Sequence, residues 1–299
     1  MNNKHIIVPK KVYSNKKGYE KLIETVCSIL DMKNGESCIM DFSEVNWIDA
    51  NLLSIIGAAI EKRQNECQIK YRSDSINQKQ ADLWGRNGFG KYFSLNEHKR
   101  YDTTVDYKVF GKSQAKDFGK YIDENLLTKS GLPELSSALK RTMSNNIQEI
   151  FGNAPLHGEC DKVISCGQYF HKKKELIFTI VDCGNTIKEN VERYFSHINA
   201  KSPPHGIAWA VVEDNSTKEI VNGKSGGKGL ALLKEFVSLN GGEIHICSGE
   251  EIWEYKNNDE KVDTISSNFP GTIVTIKIRM DDNKSYSLTS EVTDWDDLF

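Results

Sequence analysis

The sequence predicts an α/β protein made of two consecutive blocks and a short C-terminal tail. Short apolar runs typical of buried strands alternate along the chain with longer runs in which apolar residues recur at helical spacing. A length of 299 residues is enough for two ordinary domains, each with a sizeable core. Both blocks are therefore expected to fold around their own mixed layers of helices and strands.

The first block, residues 1–106, begins with alternating strand and helix patterns. Leu22, Val26 and Leu30 recur at helical spacing between two apolar runs, HIIV and SCIMDF, and predict an amphipathic helix there. An aromatic stretch around Phe89 and Phe93 closes the block. The predicted strands are 5–8, 37–42 and 68–71, and the predicted helices are 18–30, 49–63 and 77–87.

The second block, residues 107–282, carries a similar mixture with one long interruption. Pro203, Pro204 and many polar residues predict an irregular segment over 188–223. Its predicted helices are 113–127, 132–151 and 229–239, and its predicted strands are 162–170, 175–181, 243–247 and 272–279.

Composition narrows the class of protein. The 39 basic and 42 acidic residues leave a formal net charge of −3, so no direct nucleic-acid partner is expected. Charges interrupt every early apolar run, which predicts neither a signal peptide nor a membrane span. The seven cysteines contain no CxxC pair and lie mostly in or beside apolar runs, as reduced thiols do. A cytoplasmic protein is expected.

The stretch EIFGNAPLHG places three chemically different side chains at four-residue intervals. Glu149, Asn153 and His157 share one face if the run is helical, so they can converge on one ligand. A solvated polar face is the alternative. Pro155 lacks an N–H and is expected to kink or loosen the helix beyond Asn153, which leaves His157 either near the ligand or in a capping or packing role.

Two further stretches contain residues suited to bind a ligand. DCGNTI follows the apolar run LIFTIV, so Asp182 is expected at a strand end with Gly184 permitting a tight turn. GKSGGKGLALLKEF places Gly226, Gly227 and Gly229 at the start of a helix, where free backbone N–H groups favour a phosphate. A glycine-rich run also serves often as a plain turn.

Taken in order, these stretches resemble the GHKL superfamily of ATP-binding domains, which gyrase, MutL, histidine kinases and anti-sigma-factor kinases share. The motif ExxxNAxxHG of the anti-sigma-kinase branch matches at Glu149, Asn153, Ala154, His157 and Gly158. The resemblance covers roughly residues 107–280 and implies a Bergerat-type α/β sandwich that binds ATP with Mg²⁺. The resemblance is compatible with either a monomer or a homodimer.

The resemblance also implies roles for the motif residues. Glu149 would be the general base that polarises the attacking water or hydroxyl, and Asn153 would ligate the Mg²⁺ carried by ATP. Asp182 would accept the adenine amino group, and Gly184 would let the base lie close to the backbone. Thr186 replaces the second glycine of the family's DxGxGI pattern, and its hydroxyl is expected to face the adenine pocket.

The remaining motifs are assigned in the same way. The glycine run is similar to the family's phosphate-binding turn, and the segment 270–278, PGTIVTIKI, resembles the strand that lines the base pocket. The irregular segment 188–223 fits the family's ATP lid. The residues that this resemblance adds to the nucleotide site are Lys224, Gly226, Gly227, Lys228, Gly229, Leu230 and Thr272.

The first block resembles the STAS domain of anti-sigma-factor antagonists through CIMDFSEVNWIDANLLSIIGAAIE. Family members that act as phosphoswitches carry a serine or threonine next to the turn aspartate, whereas Asp49 is followed here by Ala50 and Asn51. Phosphorylation within one chain would have to use Ser54. The alternative is an interaction module that binds through its surface without modification.

Three classes of function follow from the resemblance. A histidine kinase would need an acceptor histidine within 111–148, and a gyrase-like ATPase would need a transducer domain after the last strand; the sequence offers neither. We therefore expect a regulatory ATPase or serine/threonine protein kinase, with the STAS-like block for docking or control and a STAS-type or sigma-regulatory protein as partner. The alternative is a non-catalytic ATP-sensing scaffold.

The tail, residues 283–299, ends in SEVTDWDDLF. Acidic residues alternate there with Trp295, Leu298 and Phe299. Either these apolar side chains fold back onto the domain, or the tail is a docking peptide for a basic groove on a partner.

Overall fold

The computed structural model describes most of the chain. The described residues are 4–74, 76–95, 102–212, 215, 217, 228–280, 283–288 and 291, with the backbone alone at 228–232. None of the described helices is long and apolar enough to cross a membrane. All seven cysteines are free thiols, as the sequence predicts.

The N-terminal block contains a three-stranded parallel sheet with the order β1-β3-β5. Parallel neighbours need long crossover connections, which two helices supply in turn. The larger elements are β1 (Lys4–Ile7), α1 (Lys16–Leu30), β3 (Ser37–Asp41), α2 (Leu53–Arg63), β5 (Gln68–Arg72) and α3 (Gln78–Asn87). Two-residue strands β2 (Lys11–Val12) and β4 (Trp47–Ile48) pair in parallel, and short 3-10 helices lie at Ala50–Leu52 and Phe89–Phe93.

The C-terminal block is built on a five-stranded antiparallel sheet with the order β10-β11-β9-β8-β6. Its strands are β6 (Thr104–Gly111), β8 (Lys162–Phe170), β9 (Glu175–Asp182), β10 (Glu243–Lys256) and β11 (Asp259–Arg279). Its helices are α4 (Ala115–Asn125), α5 (Ser137–Leu156), α6 (Ile187–His197), α7 (Gly206–Ala210) and α8 (Lys228–Asn240). The two-residue strands β7 (Glu134–Leu135) and β12 (Ser285–Tyr286) pair in parallel.

The five-stranded sheet is covered on both faces. One face packs against α4, α5 and α8 in an apolar core that includes Phe118, Phe178 and Phe236. The other face, represented by Cys166 and Val181, belongs to the core of the N-terminal block. The two blocks therefore share buried apolar surface, which is the dominant favourable contribution to folding.

The α/β class is confirmed, while several boundaries differ from the prediction. The predicted division between residues 106 and 107 falls inside β6, an edge strand whose apolar pattern is broken by Asp106 and Lys108. β10 and β11 run far beyond the predicted strands 243–247 and 272–279 because they form one long antiparallel hairpin. Pairing between distant segments, more than local apolar content, sets the length of these strands.

The segment 188–223 was expected to be irregular, and this is wrong for α6 and α7. Thr186 and Glu189 form a capping box: Glu189 N–H donates to Thr186 Oγ1 at 3.1 Å and Thr186 N–H donates to Glu189 Oε2 at 2.6 Å. The T-x-x-E spacing is visible in the sequence and is a known signal for a helix start. Pro203 and Pro204 lie between the two helices.

Candidate functional site

A cavity of about 190 Å³ lies between α5, the sheet and the α6–α7 segment. Apolar side chains of the strands, such as Ile180, Ile246 and Val274, face a polar row on α5. The lining residues used below are Asn146, Glu149, Asn153, His157, Gly158, Asp182, Asn185, Trp209, Val211, Thr217 and Thr272. The cavity thus combines apolar walls with a few convergent polar groups, as small-molecule sites commonly do.

The polar row on α5 arises from helical periodicity. Ser136 caps the helix, with its hydroxyl accepting the Leu139 N–H at 3.0 Å. Glu149, Asn153 and His157 all line the cavity, as four-residue spacing on one helix face requires. Glu149 is half-buried, whereas Asn153 is exposed.

Pro155 does not end α5. The helix continues to Leu156, and His157 N–H donates to Asn153 O at 2.9 Å. His157 is the residue that follows the last helical turn, and its Nδ1 lies 3.2 Å from Thr217 Oγ1. It therefore lines the cavity while also occupying the capping position that the sequence offered as its alternative role.

Asp182 is the buried carboxylate of the cavity. It is the last residue of β9 and is only 8% exposed. The Gly184 N–H donates to its Oδ1 at 3.1 Å, which favours the ionised carboxylate. Burial outweighs this hydrogen bond and raises the pKa of Asp182 to about 7.

Three glycines allow backbone segments to close around Asp182. A Cβ on Gly158 would lie 2.6 Å from Ala154 O and 3.1 Å from Asp182 Oδ1. A Cβ on Gly184 would lie 2.0 Å from Gly158 O, and one on Gly271, whose φ is 125°, would lie 2.2 Å from Asp182 O. Any larger residue at these positions would force the end of α5 and the ends of the strands apart.

Two residues of the predicted DxGxGI-like motif lie beside the cavity and are not among its lining residues. Gly184 does not line the cavity, and its close approach is to the Gly158 carbonyl. The Thr186 hydroxyl does not face the cavity either, since it caps α6. Thr272 does line the cavity, and β-sheet pairing places it directly beside Asp182.

The predicted phosphate-binding turn is described only in part. Lys224, Gly226 and Gly227 lie outside the described residues. α8 begins at Lys228, so the backbone at Lys228, Gly229 and Leu230 forms the first helical turn. The start of the helix thus differs from the predicted residue 229 by one position.

The α6–α7 segment forms the outer wall of the cavity. Trp209 packs against Tyr194, with ring centroids 5.7 Å apart, and Val211 follows directly after α7. Glu251, buried on β10, accepts the Gly206 N–H at 3.3 Å and the Ile207 N–H at 3.1 Å. This carboxylate therefore anchors the wall to the sheet.

Sequence reasoning missed several of these residues. Asn146 lies one helical turn before Glu149, so periodicity was the available signal for it. Trp209 and Asn185 lie in or beside the segment that was expected to be irregular. Glu251 lies beyond the predicted end of its strand, where no local pattern indicated a role.

Ser54, the alternative phosphoacceptor of the STAS-like block, is fully buried. Its hydroxyl donates to Asn51 O at 2.6 Å in the turn that packs against the sheet. The Ala50 N–H in the same turn donates to Gln168 Oε1 at 2.7 Å. A phosphoryl donor would reach Ser54 only after this interface opened.

Comparison with known proteins finds similarity only among solved structures. No family model matches the chain, and no curated protein matches it. Among solved structures, it is similar to the topoisomerase IV ATP-binding domain of Francisella tularensis in complex with a small-molecule inhibitor, with 13% identity and a TM-score of 0.25. The match covers 63% of this chain and 46% of that chain. A likeness of this size establishes neither a shared fold nor a shared ligand.

Proposed function

We propose that the chain binds Mg·ATP in this cavity, as a regulatory protein of the GHKL type, and either hydrolyses it slowly or transfers its γ-phosphate to a serine of a partner protein. The observation that carries the proposal is Asp182. A carboxylate buried at the end of a strand, inside a cavity with apolar walls, is suited to accept a hydrogen bond from a flat, mostly apolar ligand that carries an amino group.

Adenine is the ring that fits this arrangement. Its amino group donates to the Asp182 carboxylate, while Ile180 and Val274 contact its apolar surface. Guanine presents a carbonyl oxygen at the equivalent position, which would face the ionised carboxylate with no proton between them. Discrimination of this kind is strong because the mismatched pair leaves buried polar groups without partners.

The residues on α5 fit a metal that arrives with its nucleotide. Among the described residues, no group of three or more His, Cys, Asp or Glu side chains could hold a metal ion. Mg²⁺ commonly takes one or two protein ligands and completes its shell with phosphate oxygens and water, so the Asn153 amide oxygen is a suitable single ligand. The bound ion would neutralise phosphate charge.

Glu149 is the proposed general base. It lies one helical turn from Asn153, and both side chains line the cavity. Its carboxylate would take a proton from the attacking water or from the hydroxyl of a partner's serine. The first turn of α8, whose backbone N–H groups have no acceptor within the helix itself, is the proposed contact for the phosphates.

The N-terminal block is the proposed control element. Its packing on the far face of the sheet supports a role that acts through the C-terminal block rather than as an independent docking module. A STAS-type or sigma-regulatory protein is the proposed partner class.

Calorimetric titration of the wild type and of Asp182→Asn with ATP and GTP, each with Mg²⁺, tests the ligand. We expect the wild type to bind ATP in preference to GTP and Asp182→Asn to bind ATP about ten- to a hundredfold more weakly. Equal binding of ATP and GTP by the wild type would rule out the assigned role of Asp182. A second assay, with ATP labelled on its γ-phosphate, then distinguishes three outcomes: hydrolysis, transfer of the phosphate to a partner, and binding without turnover.

A further inference from the structure

Asn146 is a buried amide that the proposed chemistry does not use. It lies on α5, is 8% exposed and lines the cavity. Its Nδ2 is buried and has no hydrogen-bond partner among the described residues. An amide donor left unsatisfied in a protein interior destabilises the folded state, so its presence beside a cavity calls for an acceptor other than the side chains and backbone described around it.

The position of Asn146 along α5 indicates which part of a ligand it meets. Gly158, two residues beyond the end of α5, lies against Asp182. Asn146 precedes Leu156, the last residue of α5, by ten residues, which corresponds to about 15 Å along the helix axis. Glu149 and Asn153 lie between these two ends of the cavity.

We propose that Asn146 is a ligand-binding residue that donates a hydrogen bond from Nδ2 to the terminal phosphate of a nucleoside triphosphate. This inference rests on the proposed ATP site, because a ring held at Asp182 directs its phosphate chain past Asn153 and Glu149 towards Asn146. The last torsion of an asparagine side chain is soft, so the amide can turn its NH₂ group towards an acceptor in the cavity. A diphosphate ends before this contact, and Asn146 therefore discriminates ATP from ADP.

A ligand-binding role and a structural role make opposite predictions for stability. If Asn146 served the fold, its replacement would lower the melting temperature of the free protein. Because Nδ2 has no partner in the described part of the chain, Asn146→Ala should instead keep or raise that temperature, and alanine also has the higher helix propensity. Asn145, its exposed neighbour on the same helix, provides the matched control Asn145→Ala.

The experiment is calorimetric titration of the full chain with Mg·ATP and Mg·ADP, together with thermal unfolding of the free protein. We expect Asn146→Ala to lose about tenfold in ATP affinity, the usual effect of removing one hydrogen bond to a charged group, while ADP affinity changes less than twofold. Asn145→Ala should change neither affinity. Asn146→Asp should weaken ATP further, because it places a carboxylate near the phosphate.

Two results would overturn the inference on its own: an unchanged ratio of ATP to ADP affinity in Asn146→Ala, or a fall in melting temperature with equal losses for both nucleotides. Each leaves the proposed ATP site standing, since the wild type still binds. Absence of ATP binding by the wild type overturns the proposed function and this inference together.

Discussion

Asn51 donates a hydrogen bond from Nδ2 to Thr179 Oγ1 at 3.0 Å, and this bond joins the N-terminal block to the central strand of the five-stranded sheet. Both residues are fully buried. Thr179 Oγ1 also lies 3.0 Å from Thr275 Oγ1, and the Ser14 hydroxyl donates to Asn51 Oδ1 at 2.9 Å. A polar network therefore crosses the shared core, and we expect the two blocks to unfold as one cooperative unit.

The substitution Asn51→Ala tests whether the two blocks depend on this network for their stability. The substitution removes the hydrogen bond to the buried Thr179 hydroxyl and the one from the half-buried Ser14 hydroxyl, so we expect a loss of about 1–3 kcal/mol in the free energy of unfolding. Urea denaturation followed by tryptophan fluorescence measures the change, with exposed Asn65→Ala as the control. A loss no greater than that of the control, or two separate transitions in the wild type, would contradict a shared core.

The pKa of Asp182 predicts how stability depends on pH. The folded protein holds the Asp182 proton up to a pKa of about 7, whereas the unfolded chain releases it near 3.8. Unfolding therefore releases a proton between these pH values, so this residue makes the free protein less stable as pH rises from about 4 to 7.

Asp182→Asn should abolish that contribution. Thermal unfolding of the free protein should be measured at intervals of pH. As pH rises, the melting temperature should fall less steeply for Asp182→Asn than for the wild type, and the stability of the variant relative to the wild type should be greatest above pH 7. ATP affinity of the wild type should rise over the same range, because the adenine amino group is best accepted by the ionised carboxylate. Parallel stability profiles for the two proteins would exclude the raised pKa.

Substitutions of Glu149 and Asn153 should affect turnover and Mg·ATP affinity differently. Because Glu149 is proposed to act on the nucleophile, Glu149→Ala should abolish turnover and leave Mg·ATP affinity largely intact. Asn153→Ala should weaken Mg·ATP itself. Phosphate release at saturating ATP and calorimetric titration give the two readouts. Turnover by Glu149→Ala at the wild-type rate would remove the proposed base.

Gly184 and Gly152 form a matched pair for the packing around Asp182. Gly184→Ala would place a Cβ 2.0 Å from Gly158 O, so it should lower the melting temperature and weaken ATP binding. Gly152, inside α5, has nothing within 4 Å of its added Cβ, and Gly152→Ala should stabilise the protein by about 0.5–1 kcal/mol. Similar effects of the two substitutions would show that close backbone approach does not shape the site.

Local patterns in the sequence were sufficient for the elements whose geometry depends on near neighbours. A four-residue spacing is set by the helix itself, so Glu149, Asn153 and His157 were predicted on one face and do line one cavity. The apolar run before Asp182 similarly predicted a strand that ends at this carboxylate. The capping box at Thr186 was equally local, and reading it would have predicted α6.

Contacts between residues far apart in the sequence determine the features that local patterns did not predict. Glu251 anchors the cavity wall through Ile207, 44 positions away, and Asn51 meets Thr179 across 128 positions. The same applies to the raised pKa of Asp182 and the unsatisfied amide of Asn146, which result from burial by several elements at once. A residue's spacing along the chain specifies which side of a helix or strand it occupies, whereas its solvation and its partners exist only once those elements have packed together.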